Sequence, residues 1–455
     1  MKRLFALLLL PAVASAGGQF LPLRGVRPGA RGGAFVAGAD DPGALWYNPA
    51  GLASLVGGEP HTLLIDAAWA GHSVSYTRID SGGNALPTVA DDSQPLLLPT
   101  LAAEFDLGDR WALGVGLVAP YAALDGYPED GGQRYSLVSF HGSVLATLEA
   151  AVAFKLTDDV SIGAGIQNTF VKLRSKLVFS ACPKEIVCAP EDPEFDAPGR
   201  IDATSWLTPS AVFGIQATAT SWLRLGASVQ LPSFVSAGGT VKVRLPSSGF
   251  FNGAHVEGDA ADVSLTLPLI VRAGAEVRPV PAVAIEAGFD WEAWSMQDQV
   301  EVTPHNVRVE GAAGVGTYDF GPLVIPRRFK DTYALRLGVE AEAAPGLFVR
   351  AGFVHESGAS ADEYLTVAAV DTDKNVVTAG VGYRFGKVRV DAMVGHAFMG
   401  SRDIGRGTSC APQQNPIRPP AGACVHDGSP DHVYVGDGSY DSAWTFAGVG
   451  MQADF

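Results

Sequence analysis

Beyond its first sixteen residues the 455-residue chain contains no run of about eighteen apolar residues, although 47% of it is hydrophobic. A membrane-spanning helix needs roughly 20 consecutive apolar residues, so a helical membrane protein is excluded. Positive charge is scarce too. Lys and Arg number 32 against 48 Asp and Glu, a net charge of −16, which argues against nucleic acid as a partner. Signatures of catalysis are missing: there is no G-x-S-x-G, no G-x-x-x-x-G-K and no H-E-x-x-H, and the nine histidines are scattered. The chain therefore reads as a non-enzyme, with no cofactor and no metal expected.

Cysteine is limited to four residues in two local pairs, Cys182 with Cys188 and Cys410 with Cys424. The first sixteen residues place them in an oxidising compartment. Lys2 and Arg3 precede the apolar run Leu4 to Val13, and Ala14-Ser15-Ala16 is a cleavage signal of the A-x-A type, so residues 1–16 read as an export leader. An even count at short separation in an exported chain points to two loop disulfides, Cys182–Cys188 and Cys410–Cys424.

What the sequence does have is alternation. In "VAIEAGFDWEA", Val283, Ile285, Ala287, Phe289 and Trp291 share one face, while Glu286, Asp290 and Glu292 share the other. "YALRLGVEAE", "LFVRAGF" and "VVTAGVGYRF" repeat the pattern, with Arg336, Arg350 and Arg384 on the polar side. Short turns at "LGDR" (107–110), "LTDD" (156–159), "TATS" (218–221), "PVPA" (279–282), "AAPG" (343–346) and "FGK" (385–387) alternate with long polar connections. Strict alternation of short and long connections is the habit of outer-membrane barrels, with lipid outside and a polar lumen. Counting hairpins predicts an all-β fold, an antiparallel transmembrane β-barrel of about fourteen strands. Its last strand carries Val449, Met451, Ala453 and Phe455 on one face. That strand resembles the terminal strand of bacterial outer-membrane barrels, which makes the barrel assembly machinery an expected partner through Phe455.

Two prolines interrupt the early strands. Pro120 follows the alternation of Trp111, Leu113, Val115 and Leu117, and Pro99 lies on the strand before it. Proline cannot donate to a ladder, so a bulge, kink or gap is expected there. Ahead of the first strand, "GADDPGALWYNPAGLASL" is too short and broken to span a bilayer. Asp41-Pro42 and Asn48-Pro49 each start a short helix by capping, and the surrounding small residues suit a narrow lumen.

"GARGGAFVAGADDPGALWYNPAGLA", followed in order by "RWALGVGLVAPYAAL", "KLTDDVSIGAGIQ", "SLTLPLIVRAGAEVRP", "WEAWS" and "FKDTYALRLGVEAEAAPGLFVRAGFVHESGASADEY", resembles the FadL-type outer-membrane transporters of long-chain fatty acids and other hydrophobic compounds. The resemblance runs from about Gly29 to Phe455. It implies a hatch at 17–56 with Asn48, Pro49 and Ala50 at its core, inside a barrel at 57–455 in the bacterial outer membrane. It also implies a side window at a kink in the third strand, where Pro120 falls. A basic ligand-site residue of the family matches Lys172, with Arg174 close by, and a second matches Lys330. Lys172, Arg174 and Lys176 share a strand face with Ile162 and Ile166, so they reach the lumen only if a bulge near Phe170 flips the phase. Otherwise they form a solvated or lipopolysaccharide-facing rim. The expected function is passive inward transport of a hydrophobic molecule or fatty acid, captured by external loops and released sideways into outer-membrane lipid. A hatch-gated diffusion porin or a structural barrel is the alternative.

Overall fold

A strand that alternates apolar and polar residues has one face for lipid and one for a polar interior, and a sheet of such strands leaves no open edge only if it closes. The computed structural model describes residues 24–57, 61–121, 124–313, 316–420, 422, 424–429 and 432–455; the expected leader and residues 17–23 lie outside these. Fourteen antiparallel strands form the ring. They begin with β1 (His61–Arg78), β2 (Leu96–Asp106), β3 (Trp111–Val118), β4 (Val144–Lys155) and β5 (Val160–Ser180). Five follow in two segments each: β6 (Asp196–Ser205, Pro209–Thr220), β7 (Leu223–Gln230, Ser233–Val243), β8 (Ala260–Leu267, Ile270–Val280), β9 (Val283–Glu292, Gln299–Pro304) and β10 (Leu323–Pro326, Thr332–Ala344). The ring ends with β11 (Leu347–Glu356), β12 (Lys374–Phe385), β13 (Val388–Met399) and β14 (Gly438–Asp454). Pairing of β14 with β1, from Thr62↔Asp454 to Arg78↔Gly438, closes it.

All six expected short turns join neighbouring strands at one end of the ring, and the long connections sit at the other. Side chains obey the alternation. Phe289 and Trp291 are exposed outward, whereas Glu286, Asp290 and Glu292 are buried inward.

Four of the five broken strands share a cause that the sequence reading passed over. Pro209, Pro232, Pro268 and Pro326 each stand at a break, and the turn Trp294–Met296 makes the fifth. A proline removes one ladder donor, and with the turn in β9 the five adjacent strands β6 to β10 lose their hydrogen bonding at about the same height. The breaks divide the ring into a lower wall and an upper chamber. Segments of β6 to β10 above the breaks pair among themselves, and those below do likewise.

Residues 24–57 lie inside the lower ring and are almost wholly buried. Strand glycines make the space. A Cβ at Gly163 would fall on the backbone of Pro49 and Ala50, one at Gly214 on the Asn48 carboxamide, and one at Gly352 on the backbone of Arg31 and Gly32. Asn48 caps the 3-10 helix Pro49–Leu55 as expected, its Oδ1 accepting from the Ala50 N–H at 3.2 Å. The other cap differs by two residues. The helix Ala44–Tyr47 has Gly43 as N-cap, and Asp41 instead accepts from the Gly43 N–H at 2.8 Å.

Both disulfides are present, Cys182–Cys188 within the 181–195 connection and Cys410–Cys424 within the 400–437 connection. Thiol labelling of unreduced, denatured protein is expected to find no reactive cysteine. Gly214→Val should cost about 1–3 kcal/mol by overpacking against Asn48, read as a lower unfolding temperature in a heat-modifiability gel. An unshifted midpoint would show that residues 24–57 do not press on this wall.

Candidate functional site

Two features fill the interior: a charged lock around residues 24–57 and an apolar cavity above them. The lock begins at Glu286 on β9, whose carboxylate accepts from three consecutive backbone N–H groups, Val36 at 2.6 Å, Ala37 at 2.9 Å and Gly38 at 2.9 Å. Arg31 lies between Glu276 (2.9 Å) and Glu286 (3.4 Å), with all three side chains fully buried. Lower down, Arg27 meets Asp40 at 2.6 Å, Asp41 at 2.9 Å and Glu340 at 2.8 Å, and Arg389 joins Asp41 (3.1 Å) to Asp391 (2.8 Å). Such buried groups are tolerated only when each is paired, and removing one partner is costly. The Asn48 amide adds a neutral tie by donating to Val36 O and Ile215 O at 2.9 and 3.0 Å.

Above the breaks lies a cavity of about 110 Å³. Its walls are apolar: Leu145 from β4, Leu173 and Leu177 from β5, Ile201 from β6, Val263 and Leu265 from β8, Val300 and Val302 from β9, and Ile325 from β10. Tyr121, Tyr135 and Phe140 come from the 119–143 connection. Two cations belong to this lining, Arg174 and Arg327; Arg327 is 5% exposed and has no hydrogen bond or ion pair to its guanidinium among the described residues.

The link from 327 to 331 explains its aim. Arg328 adopts a left-handed backbone with φ of 45°, a conformation unfavourable for a side-chain-bearing residue. Asp298 compensates. Its carbonyl accepts from the Arg327 and Arg328 N–H groups at 2.8 Å, and its carboxylate holds the Arg328 guanidinium at 2.7 Å. Arg328 is thereby held outside, Arg327 points in, and Phe329 packs edge-on against Trp294 at 5.8 Å.

Of the cations expected from sequence, Arg174 reaches the cavity wall, and Lys172 and Lys330 do not line it. Lys330 is exposed. The pairing of β5 with β4 runs without a register shift through Phe170, from Ser161 to Lys172; the one-residue slip between Asn168↔Pro209 and Val171↔Ser205 puts the extra residue on β6, at its break, and leaves the phase of β5 unchanged. Lys172, Arg174 and Lys176 therefore keep the outward face of Ile162 and Ile166. Arg174 is itself part of the cavity lining, with its guanidinium held by Asp202 at 2.8 Å. Lysine spacing could not reveal Arg327; the Pro326-Arg327-Arg328 break in the alternation was the available signal.

The region of Pro120 is a gap. β3 stops at Val118, opposite Thr100 of β2 and Thr147 of β4, whereas β2 continues up to Leu96 and β4 to Val144. Pro120 is buried as the chain turns into the lumen. Pro99 is the first β2 residue above the last pair with β3, where a missing donor costs least. Leu145 and Tyr121 bring the cavity to this gap.

The profile of the family described as "Outer membrane protein transport protein (OMPP1/FadL/TodX)" matches residues 7–414. No curated protein sequence matches the chain. Among solved structures, a Pseudomonas aeruginosa FadL homologue aligns with TM-score 0.78 at 16% identity, covering 96% of this chain and 100% of its own. The Ralstonia pickettii toluene transporter TbuX gives 0.62 at 15%, covering 95% and 98%. The P. putida toluene transporter TodX gives 0.63 at 15%, covering 97% and 99%. At these identities the likeness is one of fold.

Replacing Arg31 by Met leaves Glu276 and Glu286 buried without their counter-charge, a loss of about 3–5 kcal/mol. A cysteine placed at Ala37 in that variant should become reactive to a small thiol reagent at least tenfold faster than in the parent; equal rates would remove the lock.

Proposed function

The chain belongs to the OMPP1/FadL/TodX family of outer membrane transport proteins, and from that premise we propose that its cargo is a hydrophobic molecule with an acidic head, a long-chain fatty acid or close analogue. The family and the structural relatives are transporters and channels, not enzymes, and the chain resides in the bacterial outer membrane. Short turns then face the periplasm and the long connections face outward.

The observation that carries the cargo assignment is Arg327 in its apolar cavity. A buried charge is stable when paired, and a carboxylate offers the matching partner. Toluene, the cargo named for two of the structural relatives, is neutral and would leave this guanidinium uncompensated. In our reading the cargo is caught among the external connections and held with its head at Arg327 and its tail along Leu145, Leu173 and Val263. Residues 24–57 act as a hatch that bars the direct route. The exit is sideways, through the gap above Val118, which the cavity meets at Tyr121 and Leu145. Movement down a concentration gradient needs no energy source.

Uptake of a labelled long-chain fatty acid by cells lacking their own transporter tests this. Arg327→Met should lose about 10- to 100-fold in uptake at limiting substrate, the worth of a charge-assisted bond of roughly 1.5–3 kcal/mol, while uptake of the matching long-chain alcohol persists. Undiminished acid uptake by Arg327→Met would sink the assignment. Liposomes carrying the intact protein should not swell in small sugars, whereas those carrying a chain deleted for 24–56 should; swelling with the intact protein would favour the diffusion porin.

A further inference from the structure

The outward cations of β5 belong to a larger array. Register places Lys176 directly opposite Arg200 of β6, and Arg200 directly opposite Lys242 of β7, so three exposed cations stand in one row across three neighbouring strands. Directly opposed like charges repel, so such a row gains from any counter-charge that reaches it. Lys172 and Arg174 continue the array downward on β5, and Arg244 lies beside Pro198 at its upper edge. Acids are present but fewer: Glu129 lies 3.7 Å from Lys176, Asp259 lies 3.5 Å from Lys242, and Asp202 serves both Arg174 and Arg200. These pairs are solvent-exposed, the class whose members contribute about 0–1 kcal/mol and exchange readily. Lys172 and Arg244 have no ion pair among the described residues. Asp130 also lines the hollow of about 610 Å³ formed by Lys176, Arg200, Lys242 and Arg244 over Val178 and Pro198.

Height identifies the partner. Phe170, two residues below Lys172 on the same face, packs against the exposed Trp206 with ring centroids 4.6 Å apart, an aromatic pair of the kind that marks the edge of the apolar band. Lys176 is six residues above Phe170, so at about 3.3 Å per residue and a tilt near 40° it stands roughly 15 Å above that edge. The headgroup layer of a phospholipid leaflet is only about 5–7 Å deep. Lys172 reaches that layer; the Lys176–Arg200–Lys242 row overshoots it.

We propose that this array is a binding surface for a phosphorylated glycolipid of the outer leaflet, whose anionic groups continue from the acyl boundary up into its sugar core. Lys172 and Arg174 meet the phosphates nearest the acyl chains, and the row above meets phosphates or acidic sugars of the core. The apolar floor at Val178 and Pro198 takes the faces of the sugars.

The test uses the full-length protein in nanodiscs of zwitterionic phospholipid, titrated with lipopolysaccharide truncated after a phosphorylated inner core and followed by native mass spectrometry. The triple variant Lys176→Glu, Arg200→Glu, Lys242→Glu, at exposed positions, should bind at least tenfold more weakly and keep the parental heat-modifiability. Lipid A lacking core sugars should bind the parent more weakly than the core-bearing form. Equal binding by parent and triple variant overturns the proposal. So does saturation by phosphatidylglycerol at the same concentration, or displacement by millimolar inorganic phosphate, which would make this a general anion surface.

Discussion

Glu286 sits where the wall and the chain inside it must agree. A carboxylate on a lumenal face cannot stay unpaired, and here its partners are three successive N–H groups of residues 36–38 and the Arg31 guanidinium. Those N–H groups would otherwise be buried donors without acceptors, since residues 24–57 form only short helical turns. One interaction thus satisfies the wall strand and the irregular segment together. The glycines follow from the same demand. Backbone can reach a wall carboxylate only where neighbouring strand positions carry no side chain, as at Gly274 and Gly226, whose missing Cβ atoms leave room for Val36 and Ala37.

Above this tightly paired floor the proline breaks change the character of the wall. Below them, lumenal positions are charged: Glu286, Arg336, Arg350, Asp391. Above them the inward side chains are Ile201, Val263, Leu265 and Val302, and the interior becomes apolar. A polar lumen suits a segment held by ion pairs; an apolar chamber suits a greasy guest. The breaks let one set of strands serve both. They free the link between segments of β10 to adopt the left-handed turn at Arg328, which a continuous ladder would forbid.

The wall was legible in the sequence because its rule is local. Period-two alternation assigned Phe289 outward and Glu286 inward, and turn length assigned the two ends. The candidate site was less legible because its rule is three-dimensional. Parity raised the difficulty with Lys172 and Arg174, and the continuous register of β5 against β4 keeps both on the face of Ile162 and Ile166. Lys330 and Arg327 are three residues apart in a non-alternating link, and only the bond from Asp298 decides which of the cations there turns inward. At Pro120 a bulge, kink or gap was expected; the strand ends two residues before it, and its neighbours climb on alone.

The two disulfides close only 6 and 14 residues of chain. Neither bond joins one strand hairpin to another, so neither needs the barrel in order to find its partner. Loop closure over so few residues carries little entropic penalty, and the two rings can be sealed while the chain is still unfolded in transit. Each strand then remains free to be threaded into the growing sheet, because no covalent link ties distant parts of the polypeptide together. A bridge from Cys188 to Cys410 would tether distant segments before the wall between them existed. Local bonding therefore lets oxidation run ahead of membrane insertion without dictating its order.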